Sequence, residues 1–156
     1  MYQFNSEIPP VVPLRLKIEI NCREHRSKFV HVLKDYSVDS EWFSGAGTVV
    51  TYSLNEMLGT KLRALYQRKK GRDLFDIWYA MQNTETNYQE IIDSYYHYLG
   101  LSGRSVTRKQ YVNNINKKLN DPEFQKDIFG LLKPGIQFDF NEAWDNVRFR
   151  LIENMS

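Results

Sequence analysis

A chain of 156 residues with 42% apolar content is long enough for one domain with its own core and too apolar for a disordered tail. Its net charge of +2 does not by itself imply a polyanionic partner, so the placement of charges matters more than their sum. The single cysteine, Cys22, excludes an internal disulfide, no apolar run approaches the ~18 residues of a membrane span, and MYQFNSEIPP lacks a basic segment followed by an apolar one; the expectation is a cytoplasmic protein with no membrane partner.

The elements fall into two groups. Before Ser53 the apolar pattern has period two. Met1–Asn5 fits a strand, and Leu14, Leu16, Ile18 and Ile20 alternate with Arg15, Lys17 and Glu19 as in a half-buried strand that begins near Val12, after Pro9 and Pro10. Phe29–Val38 and Gly45–Tyr52 read as two further strands, with Asp39-Ser40-Glu41 as the turn between them. A sheet this small needs a cover, which the following helices can supply.

After Ser53 the period becomes helical. Ser53 and Glu56 have the spacing of a reciprocal cap, and Leu54, Met57, Leu58, Leu62 and Leu65 form one apolar stripe of a helix reaching about Lys70, with Gly71 as its C-terminal stop. A second helix is expected over Asp73–Met81, with Asp73 and Asp76 as a cap-like pair at its start. Beyond the loop Asn83–Asn87, helices are expected at Tyr88–Leu99, Thr107–Leu119, Pro122–Leu132 and Glu142–Asn154, capped by Asn87, Thr107, Asp121 and Asp139, with Pro134-Gly135 separating the last two. The fold class is therefore α+β: a small, mostly antiparallel sheet followed by a helical bundle.

Residues 61–76, KLRALYQRKKGRDLFD, carry the most chemistry. Lys61, Ala64 and Arg68 share a helix face, and the small Ala64 between two cations leaves room for a ligand. Arg72 and Asp73 lie past Gly71, where a new helix N-terminus with basic neighbours suits a phosphate. The same spacing also fits a solvated basic helix with an ordinary cap. Lys17 and Glu19 project from one strand face, where a carboxylate could hold a metal and a lysine could steady a phosphate; a cross-strand ion pair fits them as well. Ten Tyr and nine Phe suit a packed core and also base stacking. Tyr95, Tyr96, Tyr98, Arg104, Arg108, Lys109, Tyr111, Lys117 and Lys118 would form the surface of a helical module binding RNA or an antitoxin protein; alternatively, the tyrosines pack a helical hairpin and the cations keep it soluble.

Taken together, the strand Leu16-Lys17-Ile18-Glu19-Ile20 and the pattern K-x-x-A-x-x-x-R-x-x-x-R-D-x-x-D, met by Lys61, Ala64, Arg68, Arg72, Asp73 and Asp76, resemble the AbiEii/AbiGii toxins, a branch of the nucleotidyltransferase fold. The resemblance is firm over about residues 10 to 80 and weak over the C-terminal helices. It implies a partial nucleotidyltransferase core over residues 1–82 and a helical C-terminal subdomain over 83–156. It also implies a toxin of a type IV toxin–antitoxin or abortive-infection system that moves a nucleotide from an NTP to an acceptor such as tRNA, supported by Mg2+ and opposed by an antitoxin protein. Glu19, Lys61, Asp73 and Asp76 would be catalytic, and Lys17, Lys61, Arg68 and Arg72 would bind nucleotide or phosphate. Arg68 and Arg72 would hold the two aspartates by forked hydrogen bonds. The family's Gly-Ser followed by D-x-D, whose carboxylates bind the metal, has no counterpart in this sequence, and Asp39-Ser40-Glu41 lacks the Gly-Ser before it. No metal site is complete, although Glu19 could contribute to one. The expectation is a fragment or truncated member, bacterial and inactive alone.

Overall fold

The computed structural model describes residues 2–18 and 26–155. Its strands come first: β1 (Tyr2–Asn5), β2 (Pro13–Leu16), β3 (Val32–Asp39) and β4 (Ser44–Thr51). β1 pairs antiparallel with β2, Tyr2 opposite Leu16, and β3 pairs antiparallel with β4, Val32 opposite Thr51. The α+β class holds, but the strands form two separate two-stranded sheets rather than one. The strand expected over Leu14–Ile20 ends at Leu16, which leaves Lys17 just beyond it. Residues 19 and 20 lie outside the described residues. The turn at Asp39-Ser40-Glu41 is present, closed by the Ser40 hydroxyl donating to the Phe43 carbonyl at 3.0 Å.

The strands are not covered as their alternation suggests. Leu14 and Leu16 are exposed, and so are Leu33, Val49 and Val50 on the second hairpin. The helices instead bury one another. They run α1 (Leu54–Gln67), α2 (Gly71–Asn83), α3 (Tyr88–Leu101), α4 (Arg108–Leu119), α5 (Pro122–Phe129) and α6 (Phe140–Arg150), with a 3-10 turn at Ile152–Asn154. Leu62 and Leu65 of α1, Leu74 and Ile77 of α2, Ile91 and Tyr95 of α3, Tyr111 and Ile115 of α4, Phe124 of α5 and Val147 of α6 belong to a single core. The helices on either side of residue 82 thus share one apolar interior. Among the described residues no helix is long and apolar enough to cross a membrane.

Local chemistry sets most of the helix starts. Asn87, Thr107, Asp121 and Asp139 each accept from backbone N–H groups of the first turn, and Pro122 occupies the start of α5, where its missing N–H costs nothing. Ser53 accepts from Glu56 N at 3.2 Å, but the cap is not reciprocal. The Glu56 carboxylate is buried and turns toward Lys28 N, Phe29 N and the Tyr98 hydroxyl, at 2.5, 3.3 and 2.6 Å. It therefore ties the segment entering β3 to α1 and α3. Long-range partners outbid the local one because a buried carboxylate needs several donors.

α1 stops at Gln67, short of the Lys70 expected from periodicity, and Gly71 opens α2 rather than closing α1. Two contacts explain this. Lys118 reaches across from α4, and its ammonium donates to the carbonyls of Leu65, Tyr66 and Arg68 at 2.5, 2.7 and 3.0 Å. Those are the orphan acceptors at a helix C-terminus, where a cation is also favoured by the helix dipole. Gly71 is buried against the Phe124 carbonyl and the Phe140 ring, and a Cβ there would overlap both.

The surface expected on α3 and α4 is divided: three of its four tyrosines and Lys118 are interior, Tyr96 is half-buried, and Arg104, Arg108, Lys109 and Lys117 are exposed. Tyr95, Tyr98, Tyr111 and Lys118 are buried, and Arg108 donates to the Met155 carbonyl. These tyrosines pack the helices, as the alternative reading of the hairpin has it.

Burial lowers the Lys118 pKa to about 8, against the pull of Asp73. Burial also raises Tyr95 and Tyr111 above the ordinary tyrosine range. Between pH 8 and about 10 the unfolded chain holds the Lys118 proton more tightly than the folded one, so stability should rise with pH. Above about 10 the unfolded tyrosines ionise first and stability should fall. Chemical denaturation across this range should show that maximum. Lys118→Met should lower stability by about 1–3 kcal/mol and abolish the rise; an unchanged rise in the variant would contradict this assignment.

Candidate functional site

The turn between α1 and α2 brings the motif residues into one network. Arg68, the first residue beyond α1, has extended backbone, with φ −126° and ψ 164°. Its guanidinium forks onto Asp73: Nε donates to Oδ2 and Nη2 to Oδ1, each at 2.7 Å. The Asp73 side chain is fully buried. It lies in the first turn of α2 but makes no side-chain cap there. The cap-like pair expected from Asp73 and Asp76 is therefore absent, because Arg68 takes both oxygens of Asp73. That hydrogen bond is the chief reason the Arg68 pKa is raised.

Lys61, about two turns before Arg68, joins the same network. Its Nζ lies 2.6 Å from Asp76 Oδ2 and 3.5 Å from Asp73 Oδ1. Lys61 and Asp76 remain open to solvent, with side-chain exposures of 36% and 39%, and Asp73 sits behind them at 0%. A buried carboxylate thus holds two cations whose outer faces are accessible.

Arg72 is placed elsewhere. Its Nε lies 3.7 Å from Oδ2 of Asp127 on α5, and Oδ1 of the same carboxylate accepts from Lys70 at 2.9 Å. It does not share the forked support of the aspartates that the motif suggested. At the helix N-terminus expected to meet a phosphate, Gly71 is buried against the Phe124 carbonyl and the Phe140 ring.

The open side of the network is a cleft of about 290 Å³ lined by Tyr52, Thr60, Lys61, Arg63, Ala64, Arg68 and Tyr98. Lys61, Ala64 and Arg68 line it together, the first two from one face of α1 and Arg68 from the extended residue beyond it, and Ala64 stands between the two cations in the chain. Lys17 does not line this cleft. Glu19 lies outside the described residues, as do Cys22, Arg23, Glu24 and His25.

Sequence spacing missed Tyr52, Thr60, Arg63 and Tyr98 as cleft residues. Tyr52 directly precedes the helix cap at Ser53, so its proximity was available; Tyr98 arrives from α3 and leaves no local signal. Arg63 donates to the Tyr98 carbonyl at 3.1 Å and lies 5.5 Å from the Tyr98 ring centre.

The carboxylates here do not fit a divalent cation. Both Asp73 oxygens are engaged by Arg68, Asp76 is paired with Lys61, and among the described residues no three His, Cys, Asp or Glu side chains are grouped to hold a metal. A cation entering would meet two positive side chains at once. The arrangement suits an anion instead: cations fixed from behind, with donors facing a cleft, match a phosphate-bearing ligand.

A family model described as the nucleotidyl transferase AbiEii toxin of type IV toxin–antitoxin systems matches residues 1–150, and the chain belongs to this family. No curated protein and no solved structure matches it. Membership makes it a toxin-family nucleotidyltransferase relative and implies an antitoxin partner.

The two ion pairs of the network should differ in strength. In double-mutant cycles by chemical denaturation, Arg68→Met with Asp73→Asn should give a coupling of about 1–3 kcal/mol, because the pair is bidentate and half-buried. Lys61→Met with Asp76→Asn should give about 0.2–1 kcal/mol, because both groups meet solvent. Equal couplings would show that Asp73 is not the anchor.

Proposed function

We propose that the cleft binds the triphosphate of a nucleoside triphosphate, and that its residues serve transfer of a nucleotide to an acceptor hydroxyl such as a tRNA end. The observation that carries this reading is the pair of accessible cations, Lys61 and Arg68, on one side of α1, both held by the buried Asp73. Lys61 acts on the phosphate as a point charge, and Arg68 presents its remaining guanidinium donors. Asp73 positions both and touches no substrate, since its oxygens are occupied. Asp76 is the accessible carboxylate; it orients the acceptor or takes its proton once ligand phosphate competes for Lys61. Arg72 stabilises the α2–α5 contact through Asp127 and takes no direct part. The acting compartment is the cytoplasm, where NTPs and tRNA are present.

The 156-residue chain does not by itself perform the transfer. Its sequence has no Gly-Ser followed by D-x-D, and Asp73 and Asp76 are too committed to cations to replace that pair as ligands for Mg2+. Electrostatic stabilisation at the reacting phosphate is usually the largest part of such catalysis. The family resemblance adds Lys17 and Glu19 to the phosphate-binding and catalytic sets, although Lys17 does not line this cleft.

The purified chain incubated with Mg2+, labelled NTPs and total tRNA should give no incorporation above background, while inorganic triphosphate binds in calorimetry and Lys61→Ala weakens that binding at least about tenfold. Steady incorporation abolished by Lys61→Ala would refute the inactivity of the chain. Triphosphate binding unchanged in Lys61→Ala would refute the site.

A further inference from the structure

We infer that Tyr52 is the stacking platform for the nucleobase, so that the cleft reads its ligand as an aromatic ring at one end and a polyphosphate at the other. The inference rests on the triphosphate site proposed above and adds a specificity-determining residue to it.

The cleft has two chemically different ends. Its cations follow α1 toward Arg68, and they are balanced from behind by Asp73 and Asp76. Tyr52 lines the same cleft from the residue just before the Ser53 cap, where β4 passes into α1, at the other end of that helix from Arg68. From Thr60 to Gln67, the last helical residue before Arg68, α1 advances about 10 Å at the helical rise of about 1.5 Å per residue, so the cleft has length as well as charge. Inorganic triphosphate alone would use the cations Lys61 and Arg68 and leave Tyr52 unused.

Tyr52 is held as a platform needs to be. Its ring packs at 5.1 Å from the His31 ring with a 42° tilt, so His31 supports it from β3's approach while it also lines the cleft. The residue is half-buried, unlike the core tyrosines Tyr95 and Tyr111, which have no free face. The other tyrosine of the cleft, Tyr98, is 1% exposed and its hydroxyl is committed to Glu56, so it serves as wall rather than platform. Thr60 has committed its hydroxyl proton to the Met57 carbonyl at 2.7 Å, which leaves little donor capacity to read a base edge. Recognition at this end is therefore by the face of the ring. Base–aromatic stacking contributes about 1–3 kcal/mol and tolerates different bases.

The test compares ATP with inorganic triphosphate, each titrated without metal into wild type, Tyr52→Leu, Tyr52→Phe and Lys61→Ala, with far-UV circular dichroism to show that each variant is folded. Tyr52→Leu should weaken ATP about 5- to 100-fold and leave inorganic triphosphate within twofold. Tyr52→Phe should keep ATP affinity within about threefold, because the ring face remains. Lys61→Ala should weaken both ligands. Equal loss of ATP and triphosphate in Tyr52→Leu, or no loss of either, would overturn the role of Tyr52 while leaving the triphosphate site standing. A wild type that binds neither ligand would overturn the site and this inference together.

Discussion

One buried carboxylate organises the informative part of this molecule. Asp73 has no exposed side-chain surface, and it is acceptable there only because Arg68 forks onto both oxygens and Lys61 stands nearby. Burying a charge is costly, and removing one partner from such a pair leaves the other uncompensated. The consequence for function is directional. The aspartate fixes the backs of two cations, and their outward faces are left to the cleft.

The helical body exists to hold that geometry. Lys118, from α4, closes the C-terminal carbonyls of α1 at the point where the chain must leave the helix and turn Arg68 back. Tyr111 donates to the Leu62 carbonyl at 2.7 Å, one turn earlier on the same helix. Gly71 lets α2 begin against Phe124 and Phe140, which sets Asp73 beneath Arg68. Glu56 performs the corresponding task at the other end of α1 by gathering Lys28, Phe29 and Tyr98. Both ends of the helix that carries Lys61 are thus pinned by charged side chains buried in the core.

Much of this was legible in the sequence, and the rest was hidden for definable reasons. The caps at Asn87, Thr107, Asp121 and Asp139 could be read because each is a bond between a side chain and a backbone N–H a few residues away. The shared face of Lys61 and Ala64 followed from helical spacing, whereas Arg68, beyond the end of α1, lines the same cleft while forking onto Asp73. The end of α1 could not be read, because its cause, Lys118, comes from a distant helix. A hint was present: Lys118 lies in the stripe of Tyr111, Ile115 and Leu119, where a lysine on a solvated face would not fall. Arg72 was misjudged because Asp127 reaches it from α5, and Glu56 because a local cap partner looked sufficient. The strands' alternation was read as one covered sheet, yet their apolar side chains remain exposed in two separate hairpins; alternation specifies two faces and does not specify what lies against either.

The decisive measurement is an NMR titration of inorganic triphosphate into the isotopically labelled chain, following the arginine Nε–H and lysine Cε signals. Anion binding in a cleft anchored by Asp73 requires the largest, saturable shifts at Arg68 and Lys61, with Arg72, Lys69 and Lys70 nearly still. Saturable shifts centred on Arg72, Lys69 and Lys70, with Arg68 and Lys61 unmoved, would place the anion on the α2–α5 side and contradict the site.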